Sequence, residues 1–370
     1  MNYYDSFDWN TILNMNPPGK YDVKLYHKIL CPEYPDFLDK YIQLPFLQRL
    51  KGIGLLCGTD WTKLYKNRFY YSRLDHSIGV ALIIWNFTHN KAQTIAGLLH
   101  DVSTPVFSHV SDFRKGDALT QTATEAANEG LIQNNEDLKK LLEVDGLKIS
   151  DVEDYHKYPV ADNEIPCLSA DRLEYMFPSG MALEGSWTLD EVQKVYADIL
   201  VLKNEQNIEE LGFNTVEIAE LYCKKFCMTG HVLQLNENKL TLHLLGQIMN
   251  MAVELGVLKE NDFMALSESE IIRKIENFID KQIVAVPSVL YFARLYKTFR
   301  TMTRIIHCES ELDKNEYFCV SLNVKQRYIN PLVKTDSGIK RLNEVSSEID
   351  NLLKDFLSFK DSLFGCVKLV

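Results

Sequence analysis

The sequence predicts a mainly α-helical protein with a small β element, on three observations. Apolar residues recur at helical spacing through most of the chain, bounded by capping and stop residues. No repeat, low-complexity tract or long Pro/Gly/Ser linker interrupts the pattern. Only YFCVSLNVKQRYINPLV combines alternation with enough β-branched residues to predict a strand, and VKLYHKIL near the start is its expected companion.

The helices follow in order. DHSIGVALIIW is apolar enough for a core helix, and TIAGLLHDV sets Ile95, Leu98, Leu99 and Val102 on one buried stripe. SADRLEYMF begins at Ser169, a helix-capping residue, places Leu173, Met176 and Phe177 on one face, and is expected to stop at Pro178 and Gly180. An elaborated helical C-terminal half follows from DEVQKVYADILVLK, EIAELYCKKFCM, LLGQIMNMAVELGVL, SEIIRKIENFIDKQI, LYFARLYKTFRTMTRII and NEVSSEIDNLLKDFL. The polar stretches 116–120, 134–137 and 204–209 are expected as surface loops.

Composition narrows the function. The 370 residues, 46% hydrophobic and 25% charged, exclude disorder and suffice for one large domain or two smaller ones. A net charge of -11 leaves no broad cationic surface, so nucleic acid is not an expected partner and a phosphate ligand must meet a local basic cluster. Apolar stretches are too short or too interrupted to span a bilayer, and MNYYDSFDWN lacks a basic region followed by an apolar run, so no membrane association and a cytoplasmic location are expected. The eight cysteines form no CxxC pair, and Cys223 with Cys227 reads as two reduced thiols on a helix.

Histidine is scarce, at nine, yet His76, His100 and His109 cluster within a short apolar region. Imidazole and carboxylate suit a first-row divalent cation, and His100-Asp101 falls where a helix end turns polar groups off the apolar stripe. Lys325, Arg327 and Tyr328 form the best basic cluster of the C-terminal half and are expected to reach a phosphate. Trp61, Tyr65, Tyr70 and Tyr71 are candidates for stacking a nucleobase.

Four strings in order, LPFLQRLKGIG, RLDHSIGVA, LLHDVSTPVFSH and ADRLEYM, make the chain resemble the HD-domain phosphohydrolase superfamily, most nearly its deoxynucleoside triphosphate triphosphohydrolase branch. The resemblance covers about Leu44 to Tyr175. It implies an HD-domain helical core over 41–185, with an N-terminal segment 1–40 and a mainly helical region 186–370 packed on the core. It implies one divalent metal ion (Mn, Mg, Fe, Co or Ni) held by His76, His100, Asp101 and Asp171, a set that leaves room for water and a phosphate oxygen. Arg73, Arg172 and Tyr175 match the family's phosphate contacts. His109 is then the expected general acid, oriented by Asp112 or Glu125.

The chain also departs from that pattern. Thr104 and Thr124 stand where the family has histidines, and Ser179 where it has the aspartate that reads the sugar. The expected function is therefore metal-dependent hydrolysis of a phosphate ester or anhydride of a nucleotide or another small phosphate compound. A dNTP triphosphohydrolase and a catalytically silent nucleotide sensor are the alternatives, and a homo-oligomer is compatible with the resemblance.

Overall fold

The computed structural model describes residues 22–119, 127–281 and 286–370. Its first helix, α1 (Val23–Leu30), is the segment expected as a strand. The Asp22 carboxylate accepts the backbone N–H groups of Lys24 and Leu25, and Tyr26 and Leu30, four apart, fill the buried face. An N-cap and an i, i+4 pair override the apparent alternation.

The central pair is α2 (Arg73–Thr88) and α3 (Lys91–Leu99), packed against each other. A capping box between Ser72 and Asp75 starts α2. Its turn into α3 uses His89 in the left-handed region and Asn90 as the next N-cap. Gly97 on α3 lets the helices touch, since a Cβ there would run into the Ile84 side chain.

After the short α4 (Val110–Arg114), helix α5 (Ala170–Leu183) crosses α2. It does not stop at Pro178 or Gly180 as expected but carries the proline inside. Proline deprives the carbonyl four residues earlier, that of Glu174, of its helical donor. The Tyr26 hydroxyl donates to that oxygen at 3.3 Å, so α1 supplies the lost bond and the helix continues.

Next come α6 (Leu189–Tyr196), the hairpin β1 (Ile199–Lys203) and β2 (Glu209–Phe213), and the long helices α7 (Val216–Gln234) and α8 (Asn236–Glu254). DEVQKVYADILVLK is thus not one helix: ILVLK leaves it to pair with Glu209–Phe213. Helices α9 (Glu268–Asp280) and α10 (Pro287–Thr301) lead to β3 (Ile306–Cys308), β4 (Tyr317–Val320), β5 (Leu332–Thr335), β6 (Gly338–Arg341), α11 (Ser347–Ser358) and β7 (Phe364–Lys368).

The β content exceeds the expectation. One sheet has order β1-β2-β5-β6, with β2 and β5 parallel through Gly212 and Leu332. The other is antiparallel, order β3-β7-β4, and lies on α8. A disulfide joins Cys319 of β4 to Cys366 of β7, a pairing that residue spacing did not suggest. Cys223 and Cys227 are buried free thiols on α7, as read. No helix among the described residues is long and apolar enough to cross a membrane.

Candidate metal centre and its cavity

Three helix segments deliver the four candidate ligands to one point: α2 brings His76 one turn past its N-cap, α3 ends into His100 and Asp101, and α5 carries Asp171 in its first turn. The Nε2 atoms of the two histidines are 3.2 Å apart. Asp171 Oδ1 lies 3.1 Å from His76 Nε2 and 3.6 Å from His100 Nε2. Asp101 Oδ2 lies 3.7 Å and 3.6 Å from the same atoms. Two ligands each about 2.1 Å from an ion and at right angles stand about 3 Å apart, so the mutual separations of His76, His100 and Asp101 suit a single first-row divalent cation, with Asp171 close to both imidazoles.

The ring orientations are fixed from behind. His100 Nδ1 donates to the Gly97 carbonyl at 2.7 Å, and His76 Nδ1 bonds the Glu174 carboxylate at 2.5 Å. Both rings therefore turn Nε2 toward the common point, the arrangement that sets the tautomer of a metal-ligating histidine. Glu174 is fully buried, and its other oxygen accepts the Tyr71 hydroxyl at 2.6 Å. Gly79 makes room for it, because a Cβ at that position would run into the carboxylate. Sequence reasoning passed over Glu174, although it lies three residues after Asp171 on the same helical face.

Asp101 is held on both oxygens. Arg73 donates to Oδ2 at 2.8 Å and the Thr104 hydroxyl to Oδ1 at 2.8 Å. Arg73 also donates through Nε to Ser108 Oγ at 3.0 Å, in a loop where Phe107 and Ser108 both take left-handed backbone. Arg49, from the LPFLQRLKGIG string, donates to the carbonyls of Val102 and Thr104 and pins the turn after Asp101.

The electrostatics match a cation-binding site. Burial opposes charge on His76, but Glu174 and Asp171 outweigh it and push its pKa up to about 10. His100 is raised against burial by Asp101 and Asp171. Burial likewise opposes the carboxylate charges, yet Asp101 is held well below its usual range by Arg73 and the imidazoles, and Asp171 by the two histidines. Arg73 and the imidazoles are thus the counter-charges that keep these buried carboxylates ionised, and a cation binding here would take the place of the imidazole protons.

The cluster opens into a cavity of about 440 Å³ that Arg73, His109, Arg172, Tyr175, Lys325 and Arg327 also line. His109 Nδ1 lies 2.9 Å from a fully buried Asp112 oxygen and its Nε2 3.4 Å from Arg327 Nη2. Burial, Arg327 and Arg73 lower the His109 pKa, against Asp112. The Arg327 guanidinium stacks on Tyr175 at 5.7 Å from the ring centroid. Arg172 donates from Nε to the Cys167 carbonyl at 2.9 Å and from Nη2 to the Asn163 side chain at 2.7 Å, so it braces the loop that forms the cavity rim as well as lining it.

Other expected residues fare differently. Glu125 and Thr124 lie outside the described residues. Of the four aromatic candidates only Tyr65 lines the cavity. Trp61 instead donates to Glu268, Tyr71 to Glu174, and Tyr70 is exposed. Ser179 is on the wall, and so are Tyr155 and His156, which no motif singled out.

No protein-family model matches the chain. It is 29% identical over 189 residues to an uncharacterized protein, YdhJ, of Bacillus subtilis, a match spanning 50% of this chain and 54% of that one. It is 22% identical over 235 residues to a metal-dependent phosphohydrolase of Cordyceps militaris, spanning 63% of this chain and 66% of the relative. The matches thus span between half and two thirds of the curated relatives. Its fold is shared with a hypothetical protein from Aquifex aeolicus (TM-score 0.57, 14% identity, 91% of this chain and 93% of that one). It is shared equally with a phosphohydrolase from Bacteroides thetaiotaomicron (TM-score 0.59, 14% identity, 91% and 96%).

Proposed function

We propose that the chain is a metal-dependent phosphohydrolase of the HD type that hydrolyses a phosphate ester or anhydride of a small molecule, with a nucleotide as substrate. One observation carries the reading: two Nε2 atoms and two carboxylates come together in a cavity that Lys325 and Arg327 also line. The fold it shares with a phosphohydrolase and its similarity to a metal-dependent one support the same class.

A divalent ion at His76, His100, Asp101 and Asp171 would supply charge neutralisation on phosphoryl oxygens and acidify water. The chain's own residues do the rest. Arg327 and Lys325 hold the phosphoryl oxygens, and Arg327 is itself steadied by the Tyr175 ring. Arg73 serves the site chiefly by fixing Asp101. His109, lowered in pKa and anchored through Nδ1 by Asp112, accepts a proton at Nε2 and returns it to the leaving oxygen. Thr104 spends its hydroxyl on Asp101 and takes no part in proton transfer.

The test is a metal assay on protein purified without chelator, followed by incubation with a nucleotide panel and separation of products. The expected result is about one ion per chain and release of orthophosphate or pyrophosphate, with mono- and diphosphates turned over at least as well as triphosphates. Nucleoside plus intact tripolyphosphate would replace this reading with a triphosphohydrolase. Binding without turnover in any metal would replace it with a sensor, a reading that the threonine at 104 favours.

A further inference from the structure

On the sheet behind α8, three cysteines occupy three adjacent strands. Cys308 is on β3, Cys366 on β7 and Cys319 on β4, and β7 is the middle strand. Cys319 stands directly opposite Cys366 and is bonded to it. Ile306 stands opposite Cys366 on the other side, and Cys308, two residues along, projects from the same face as Ile306. All three sulfurs therefore share one face, and Cys308 Sγ lies 3.7 Å from Cys366 Sγ.

We propose that these residues form a thiol–disulfide exchange site in which Cys308 and Cys319 compete for Cys366. Exchange requires a thiolate to approach one sulfur of a disulfide roughly in line with the bond it breaks. The strand order allows such an approach, because Cys308 and Cys319 flank Cys366 from opposite strands. The Cys308 thiolate forms the new bond to Cys366, the Cys366–Cys319 bond breaks, and its electron pair leaves on Cys319. Cys308 gives its proton to solvent and Cys319 takes one back, so no oxidant or reductant is consumed. Cys308 and Cys319 are both partly exposed while Cys366 is fully buried, so the thiol that is free in either isomer is the one that small thiols and disulfides of the glutathione class can reach. The position of the crosslink also decides whether β4 is covalently held, and β4 leads into Val324, Lys325 and Arg327 of the cavity wall.

The full chain, equilibrated in graded reduced and oxidised glutathione, acid-quenched, alkylated and mapped by mass spectrometry, tests the proposal. Oxidised wild type is expected to yield both the Cys319–Cys366 and the Cys308–Cys366 peptides, with alkylation divided between Cys308 and Cys319. Cys319→Ser is expected to carry Cys308–Cys366 alone, and Cys308→Ser only Cys319–Cys366. Wild type that never shows the Cys308–Cys366 peptide, or that forms no disulfide among the three at any ratio, overturns the proposal. The wild-type map decides the matter even if the serine variants fail to fold.

Discussion

Two clusters of histidine and carboxylate stand out among the described residues, and only one of the two is built for a cation. At His76, His100, Asp101 and Asp171 each imidazole has Nδ1 tied to an internal acceptor and Nε2 aimed at a shared point. At Glu237, His307 and Asp361 a single imidazole bonds Glu237 through Nε2 at 2.9 Å and Asp361 through Nδ1 at 3.0 Å. Both of its nitrogens are donors to separate carboxylates, so no lone pair is left for a metal. The two acids raise its pKa to about 10, against burial. This second cluster is an ionic clamp fastening the start of α8 to β3 and to the segment before β7. Residue type does not distinguish the two clusters; the direction of the nitrogens does.

The largest test of that contrast is metal content. His100→Ala or Asp171→Ala should abolish stoichiometric metal, whereas His307→Ala should leave it at the wild-type value. Metal lost equally in all three, read by elemental analysis, would erase the distinction. His156 is a poor control, because it lines the cavity. Ligand loss should also lower the melting temperature, since an ion present at a hundredfold excess over its Kd stabilises the native state by about 2.7 kcal/mol.

Glu174→Gln comes next. It keeps the size of the side chain but weakens the bond that orients His76, and metal affinity should fall about ten- to a hundredfold by competition with a chelating dye. An unchanged affinity would show that the His76 ring needs no such partner. On the basic wall, Arg327→Ala should weaken nucleotide binding about ten- to a hundredfold, the effect of losing one charge-assisted bond of about 1.5 to 3 kcal/mol, with metal content unaffected. Arg73→Ala should instead lose metal together with nucleotide, because Arg73 holds a ligand. Calorimetry on the two variants separates a phosphate contact from a ligand support.

The smallest effect concerns the clamp. The folded pKa of His307 lies above the unfolded value of 6.5, so its stabilisation is complete below about pH 6.5 and is lost as pH rises through about 10. Partial exposure keeps it modest. Urea midpoints of wild type and His307→Gln should differ most at pH 6 and converge by pH 10. A gap constant with pH would mean that packing, not charge, is what the side chain contributes.

The residues of the first cluster were legible because four ordered strings carried the resemblance that named them, aided by an apolar stripe before His100 and a serine cap before Asp171; the capping box before His76 went unread. For His109 the sequence left two acids open, Asp112 and Glu125; Asp112 is its partner at 2.9 Å, and Glu125 lies outside the described residues. What escaped depends on distant partners. ILVLK is a strand only because Glu209–Phe213 folds back on it and β5, more than a hundred residues later, extends the sheet. Pro178 is tolerated only because Tyr26 reaches the Glu174 carbonyl from another helix. VKLYHKIL misled through a chance alternation that the Asp22 cap overrules.

Gly79 touches neither ion nor substrate, yet it fits only hydrogen where α2 meets the Glu174 carboxylate. A genetic screen for loss of function should therefore recover Gly79→Ala among the ligand changes, with a metal-deficient phenotype and a folded chain. Its natural second-site suppressor is Glu174→Asp, which shortens the acid by one methylene and returns the space that the alanine took. The allele pair, each harmful alone and mild together, would be the hereditary trace of one hydrogen bond.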